Sequence, residues 1–339
     1  MNTVPNSDLD LPQSGTSAPR HDQGVVHKKT IGNYTVWASG RHILCELSTR
    51  LRKQLVYPTA DPNSLAHIVR QVKTIEHVDP VAVGDQVRFV DSQDGRGLIT
   101  EVLPRRSRLT RRTPAPMPGA HTFEQVIVAN IDQVVPVFAA ADPPPKWNLL
   151  DRYLVSAESL DLPSLICINK LDLVQDPDGR VAADIQEAVE EYRRIGYPVL
   201  LVSAITGQGL PELRQALAGR LSVLVGKSGV GKTSLLNALQ PGLGLRVSQV
   251  SQATHKGRHT TTHLELFPLE TEPGASIVDT PGIREFGPWD VHQDDLALFF
   301  PEMRPLVGRW LLIRAIRRAR SSTISAIPGA PTSLKCATG

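Results

Sequence analysis

LICINKLDLV at residues 165–174 and GKSGVGKT at residues 226–233 decide the fold between them, because of their order. The second stretch matches G-x-x-x-x-G-K-[ST]. Its glycines let backbone N–H groups curl around phosphate oxygens, the Lys232 ammonium reaches the β- and γ-phosphates, and the Thr233 hydroxyl binds Mg²⁺. LSVLV before it reads as a strand and TSLLNALQ after it as a helix, whose N-terminal dipole favours anions. Gly226, Lys227, Ser228, Gly229, Val230, Gly231, Lys232, Thr233 and Ser234 are the candidate phosphate-side contacts.

A phosphate loop does not choose between purines. Asn169, Lys170, Leu171 and Asp172 do. An aspartate carboxylate accepts from the ring N–H and the exocyclic amine of guanine, a donor pair that adenine lacks. The lysine stem covers the purine face, and the asparagine ties the loop to its neighbour. A site built around such an acceptor rejects the ligand that leaves it unpaired. SAITGQG at 203–209 resembles the loop whose backbone meets the guanine carbonyl, with Ser203 and Ala204 as the candidates.

The run ASIVDTPG at 275–282 ends a buried strand. Asp279 would hold Mg²⁺ through a water, and the Gly282 N–H would sense the γ-phosphate. Between the phosphate loop and this run lies THKGRHTTTHLEL. A threonine there should close over Mg²⁺. Thr260, Thr261 and Thr262 all qualify, and Thr261 is the favoured catalytic and metal-binding residue. His255, His259 and His263 fall four apart, but Gly257 and three threonines argue against a helix, so a switch loop is expected rather than a metal site. The residue after DTPG is Ile283, where many Ras-like enzymes carry a water-positioning Gln. Weak intrinsic hydrolysis is therefore expected, with water positioned by His255, by His259 (the catalytic candidate) or by a partner.

Ras-like chains run phosphate loop, switch threonine, DxxG, NKxD, SA. This chain runs NKxD, SA, phosphate loop, threonines, DTPG. The set is complete and the order is circularly permuted. Ligand loops at strand carboxyl ends survive such a cut, because the site depends on spatial neighbours. Alternating strand and helix patterns over 124–287 predict the α/β G domain.

The flanks differ. Residues 1–28 are polar and read as a disordered tail. From 29 to 112 short β patterns predict a small barrel or sandwich, with SLAHIVRQVKTI at 64–75 as a short capping helix. LPRRSRLTRR at 103–112 packs five arginines without an acid, making Arg105, Arg106, Arg108, Arg111 and Arg112 candidates for a phosphate backbone or merely a solvated face. A Pro-rich linker covers 113–123, a helical arm 288–308, and an atypical basic tail 309–339. Cys45, Cys167 and Cys336 are far apart and form no CxxC, which suggests neither a disulfide framework nor a zinc site. No leader or membrane span is legible, so a cytoplasmic protein is expected.

LLDRYLV, INKLD, SAITGQGL, GKSGVGKTSLLNAL, GRHTTTH, DTPGIREFG and FFPEMRPL together resemble the RsgA (YjeQ/EngC) family of circularly permuted GTPases, across residues 30–308. The resemblance implies an N-terminal OB-fold, GTP and Mg²⁺, and a role in late maturation of the small (30S) ribosomal subunit through its rRNA, as a monomer. It implies slow hydrolysis alone and faster hydrolysis on the subunit. It also implies a zinc site of three cysteines and a histidine after FFPEMRPL. Here only Cys336 and no histidine follow Arg309, so no zinc is expected. A nucleotide-gated RNA-binding or scaffold protein with a damaged C-terminus stays open as a second function. A P-loop ATPase is a third, and NKLD argues against it.

Overall fold

The computed structural model describes residues 21–30, 32–52, 59–60, 69–71, 80–113, 123–245, 264–270, 272–279, 291–292 and 294–307. Period-two burial organises the first unit. Its strands are β1 (His21–Thr30), β2 (Asn33–Ala38) and β3 (Arg41–Leu47), the short hairpin β4 (Thr59–Ala60) and β5 (Val69–Gln71), then β6 (Gln86–Asp91) and β7 (Arg96–Val102), with one helical turn, α1 (Thr49–Arg52), after β3. Tyr34, Val36 and Ala38 alternate inward along β2, and Ile43, Cys45 and Leu47 along β3. With Val26, Val87, Phe89 and Ile99 they fill one core. β1, β2 and β3 form an antiparallel meander, β3 runs parallel to β7, β7 pairs antiparallel with β6, and β6 returns to β1. This closes a five-stranded barrel with OB-fold connectivity.

Three boundaries differ from the sequence reading. β1 begins at His21, so the polar tail ends before residue 28; His21–Val25 pair with Gln86–Val90, a non-local contact that composition cannot reveal. Val69–Gln71 is strand where a helix over 64–75 was expected. The barrel closes at Val102, and the arginine run enters β8 (Arg108–Thr113), which pairs with β9 (Phe123–Ala129) rather than with the barrel. The Pro-rich stretch is therefore the connection within a two-stranded ribbon.

The second unit is a parallel sheet covered on both faces. Its elements are β10 (Gln133–Ala139), α2 (Trp147–Glu158), β11 (Ile166–Asn169), α3 (Ala183–Ile195), β12 (Val199–Leu201), α4 (Leu210–Leu217), β13 (Leu221–Val225), α5 (Lys232–Leu239), β14 (Glu265–Pro268) and β15 (Ser276–Asp279). The spatial order is β12-β11-β10-β13-β15-β14, parallel except for β14. The strand that feeds the phosphate loop sits centrally, although it comes late in the chain.

Alternation assigns the faces. Val134, Phe138, Ile166 and Ile168 pack against Leu150 and Tyr153 of α2 and Val189 of α3. Val135, Val137 and Cys167 pack against Leu213 of α4 and Leu235 and Leu236 of α5. Strands buried on both sides need continuous apolar sequence, which is what β10 and β11 have. Lys28 of β1 is in register with Glu265 of β14, and their side chains form an ion pair at 2.8 Å, joining barrel and sheet. Beyond β15 the described arm has a 3₁₀ turn at Leu296–Phe299 and helical residues at 304–307. Arg304 pairs with Glu158 of α2, docking the arm on the sheet's α2 side.

Candidate nucleotide-binding site

The parallel strands β11, β12, β13 and β15 deliver their carboxyl ends to one region, where open α/β sheets bind ligands. β13 leads into Gly226, and β15, in register with it from Leu221↔Ser276 to Leu224↔Asp279, ends at buried Asp279. Glycine is needed twice in the loop between β13 and α5. At Gly226 (φ +154°) a Cβ would lie 2.3 Å from the Val137 carbonyl oxygen, and at Gly231 (φ +91°) it would lie 2.4 Å from Asn169 Nδ2.

Lys232 opens α5. Its Nζ donates to the backbone oxygens of Gly226 at 2.7 Å and Lys227 at 3.1 Å. Burial lowers its pKa from the ordinary lysine value, and the negative charge of Asp279 opposes that shift. A desolvated cation at the start of a helix, behind a loop that only glycine can form, is suited to a phosphate. Thr233 follows on the first turn of α5, and its hydroxyl with the Asp279 carboxylate offers the hard oxygen donors Mg²⁺ takes.

Asn169 joins the two halves of the site. Its side chain is buried; Nδ2 donates to the Val230 carbonyl at 3.0 Å, and Oδ1 accepts from the Ala204 N–H at 3.2 Å. Ser203 Oγ donates to Asp172 Oδ1 at 2.5 Å and accepts from the Thr206 N–H at 3.1 Å, orienting the half-buried carboxylate. Lys170 takes a left-handed backbone (φ +64°), and its Nζ donates to the backbone oxygen of Asp142. Leu171 is different. It is buried, and its N–H donates to the Val202 carbonyl at 3.1 Å, so it anchors the base loop instead of facing a ligand. Sequence reasoning missed Asp142, whose signal was the Asp-Pro-Pro-Pro run at 142–145 after β10.

His255, His259, Thr261, Gly282 and Ile283 lie outside the described residues, as does the tail from 308. No group of metal-ligating His, Cys, Asp and Glu occurs among the described residues.

The arginine run divides. Arg105 donates from Nε and Nη2 to buried Asp85, at 2.7 Å to each oxygen, and from Nη2 to the Pro80 carbonyl at 2.9 Å. A buried carboxylate requires this partner, so Arg105 holds the fold together as well as lining a cleft with other arginines. Arg106 and Arg108 are exposed, and Arg106 pairs with Asp132 at 3.2 Å. Both line this cleft of about 1160 Å³ together with Arg105 and with Arg50 and Arg88, two cations the sequence reading did not single out; Arg88 is ion-paired there with Glu101 at 3.0 Å. Arg111 and Arg112 lie on β8 opposite Gln125 and Glu124; their side chains are outside the described residues.

Comparison with known proteins agrees with this geometry. The RsgA GTPase family model matches residues 102–289. A protein of Gemmatimonas aurantiaca named small ribosomal subunit biogenesis GTPase RsgA is 47% identical over 231 residues, 67% of this chain and 71% of that protein. A Pseudomonas aeruginosa protein of the same name is 44% identical, with 67% of this chain matched to 64% of its length. A third of that name, from Porphyromonas gingivalis, is 38% identical over 83% of this chain and 82% of its own. Among solved structures, YjeQ from Thermotoga maritima aligns with a TM-score of 0.58 at 30% identity, covering 84% of this chain and 82% of that one. YloQ, described as a circularly permuted GTPase, aligns at 0.56 and 28%, covering 88% and 82%. The permuted order of strands around a Ras-like sheet thus has a named home, and this chain belongs to the RsgA family of GTPases.

Proposed function

We propose that this chain is a GTP-hydrolysing assembly factor for late maturation of the small ribosomal subunit, slow alone and accelerated by the subunit. The observation that carries the reading is Asn169, which ties the phosphate loop to the base loop and so makes one site of two motifs. The names of the relatives support the ribosomal partner.

In this reading Asp172, oriented by Ser203, accepts the two guanine donors, and Lys170 covers the purine. The Ala204 N–H region meets the guanine carbonyl. The amides of 226–231 hold the phosphates, and Lys232 leaves its backbone partners to neutralise them. Thr233 and Asp279 would hold Mg²⁺, with Thr261 closing from the switch; the ion, when bound, neutralises charge on the β- and γ-phosphate oxygens. Gly282 senses the γ-phosphate. Isoleucine at 283 cannot orient water, so His259 or the bound subunit does so, and release of the switch after hydrolysis moves the arm that follows it. Arg105, Arg106, Arg108, Arg111 and Arg112 contact rRNA, joined at the cleft by Arg50 and Arg88. The protein acts as a cytoplasmic monomer, and no described helix is long and apolar enough to cross a membrane.

Phosphate release from GTP, measured with and without purified small subunits and with ATP in parallel, tests the reading. Stimulated release from GTP alone is expected. Turnover as fast without subunits as with them, or equal use of ATP, would overturn it.

A further inference from the structure

The outer surface of the barrel carries an aromatic cluster that the nucleotide site does not use. Trp37 on β2 and His42 on β3 are register partners, and the alternation of both strands points their side chains outward. The Trp37 indole lies nearly parallel to the His27 ring, at 13° with centroids 5.7 Å apart. His42 is tilted against the same indole at 4.7 Å. His42 Nε2 and His27 Nδ1 are 3.3 Å apart, close enough for a hydrogen bond between the rings.

His27 sits at the irregularity where β1 shifts register between Val26 and Lys28. A bulge re-aims a side chain, and here it puts the imidazole behind the indole. Burial, then the neighbouring His42, push His27 down to about 4, so near neutral pH it is an uncharged flat support. The cluster is covered on its inner side and open on its outer side: His27 is 6% exposed and Trp37 37%.

The surface continues from there. Leu44, next outward on β3, is 47% exposed, and Leu98 of β7 is 41% exposed. Arg96, exposed and in register with Leu44, flanks it on the same outward face. Glu46, the outward carboxylate of β3, is ion-paired with Arg52, so it does not confront an approaching phosphate chain with uncompensated charge; Arg41 is taken up by its own pair with Asp91. Strands 2 and 3 of an OB barrel form its usual oligonucleotide face. An indole with a cation on the same face is chemistry that takes a base and its backbone together.

We propose that Trp37, backed by His27 and edged by His42, is a stacking platform for an unpaired base of a single-stranded RNA segment. The proposal rests on the reading that RNA is the partner, and adds a base-contacting subsite to the arginine contacts.

The test is binding of the full chain to a fluorescent single-stranded RNA of mixed sequence, followed by anisotropy. Trp37→Ala should weaken it by about 5- to 150-fold, the stacking contribution of one base. Trp37→Phe, which keeps a π face, should recover most of it. Both variants should bind GTP as the wild type does, which reports an intact fold. Binding to a duplex of the same sequence should not change. The wild type should also bind an RNA with several abasic positions more weakly than the intact strand, and this comparison decides if Trp37→Ala fails to fold. Unchanged single-strand affinity in Trp37→Ala, or an equal loss on the duplex, would overturn the platform. So would a variant that weakens small-subunit binding but not RNA binding, because the occupant would then be protein. A wild type that ignores single-stranded RNA yet shows subunit-stimulated hydrolysis would end this inference and leave the proposed function standing.

Discussion

Replacing Asn169 by alanine should loosen the nucleotide site at its seam. The side chain is 1% exposed and bridges Val230 O at 3.0 Å and Ala204 N at 3.2 Å. Alanine strands one acceptor and one donor. Each buried unpaired group costs about 1–3 kcal/mol, and the longer contact lies nearer the surface, so about 2–4 kcal/mol is expected in total. Because both bonds are internal to the protein, the loss should appear without nucleotide, as a thermal midpoint lower by about 5–10 °C for a unit of this size. GTP affinity should fall as well, since the two loops are no longer held in register. Asn169→Asp should be worse than alanine: it keeps the acceptor for Ala204 but sets a carboxylate against the Val230 oxygen. Thermal unfolding and nucleotide titration of the three proteins form the assay. An alanine variant that melts within about 1 °C of wild type would refute the bridging argument. A changed preference between guanine and adenine at unchanged stability would show instead that Asn169 reads the base.

Three further outcomes follow from the same geometry. Asp172→Asn should weaken GTP by about 10²- to 10⁴-fold, the worth of two charge-assisted hydrogen bonds, and should favour xanthosine triphosphate; titration with both nucleotides checks it, and retained GTP affinity would sink the base assignment. His27 has a folded pKa near 4 against 6.5 in the unfolded chain, so between these values the unfolded state binds more protons; stability should fall as pH drops through this window, by up to about 3 kcal/mol, and His27→Asn should flatten the slope in denaturant melts taken from pH 7 to 4. Arg105→Ala should cost about 3–5 kcal/mol by abandoning buried Asp85, whereas exposed Arg106→Ala should cost under about 1 kcal/mol, a contrast that chemical denaturation resolves.

The nucleotide motifs were legible because their chemistry demands particular residues at fixed spacing. Only glycine tolerates the backbone at Gly226 and Gly231, and only a carboxylate at Asp172 suits a donor pair. Likewise the apolar runs of β10 and β11 read as strands buried on both faces. The start of β1 was not legible, since His21–Gly24 is polar and its pairing with β6 spans more than sixty residues. Nor was the partner of Arg105: five arginines in one run look alike, and only the packing of Asp85 selects one of them for the interior.

The sequence by itself therefore determined the ligand class and the permuted order, because phosphate and base contacts are local backbone and side-chain requirements that leave a spacing. Tertiary structure alone decided that Asn169 reaches Val230, 61 residues later, and that Trp37, His27 and His42 meet on one barrel surface. Those contacts join strands by register and bulge, and register is a property of paired strands that no single segment carries.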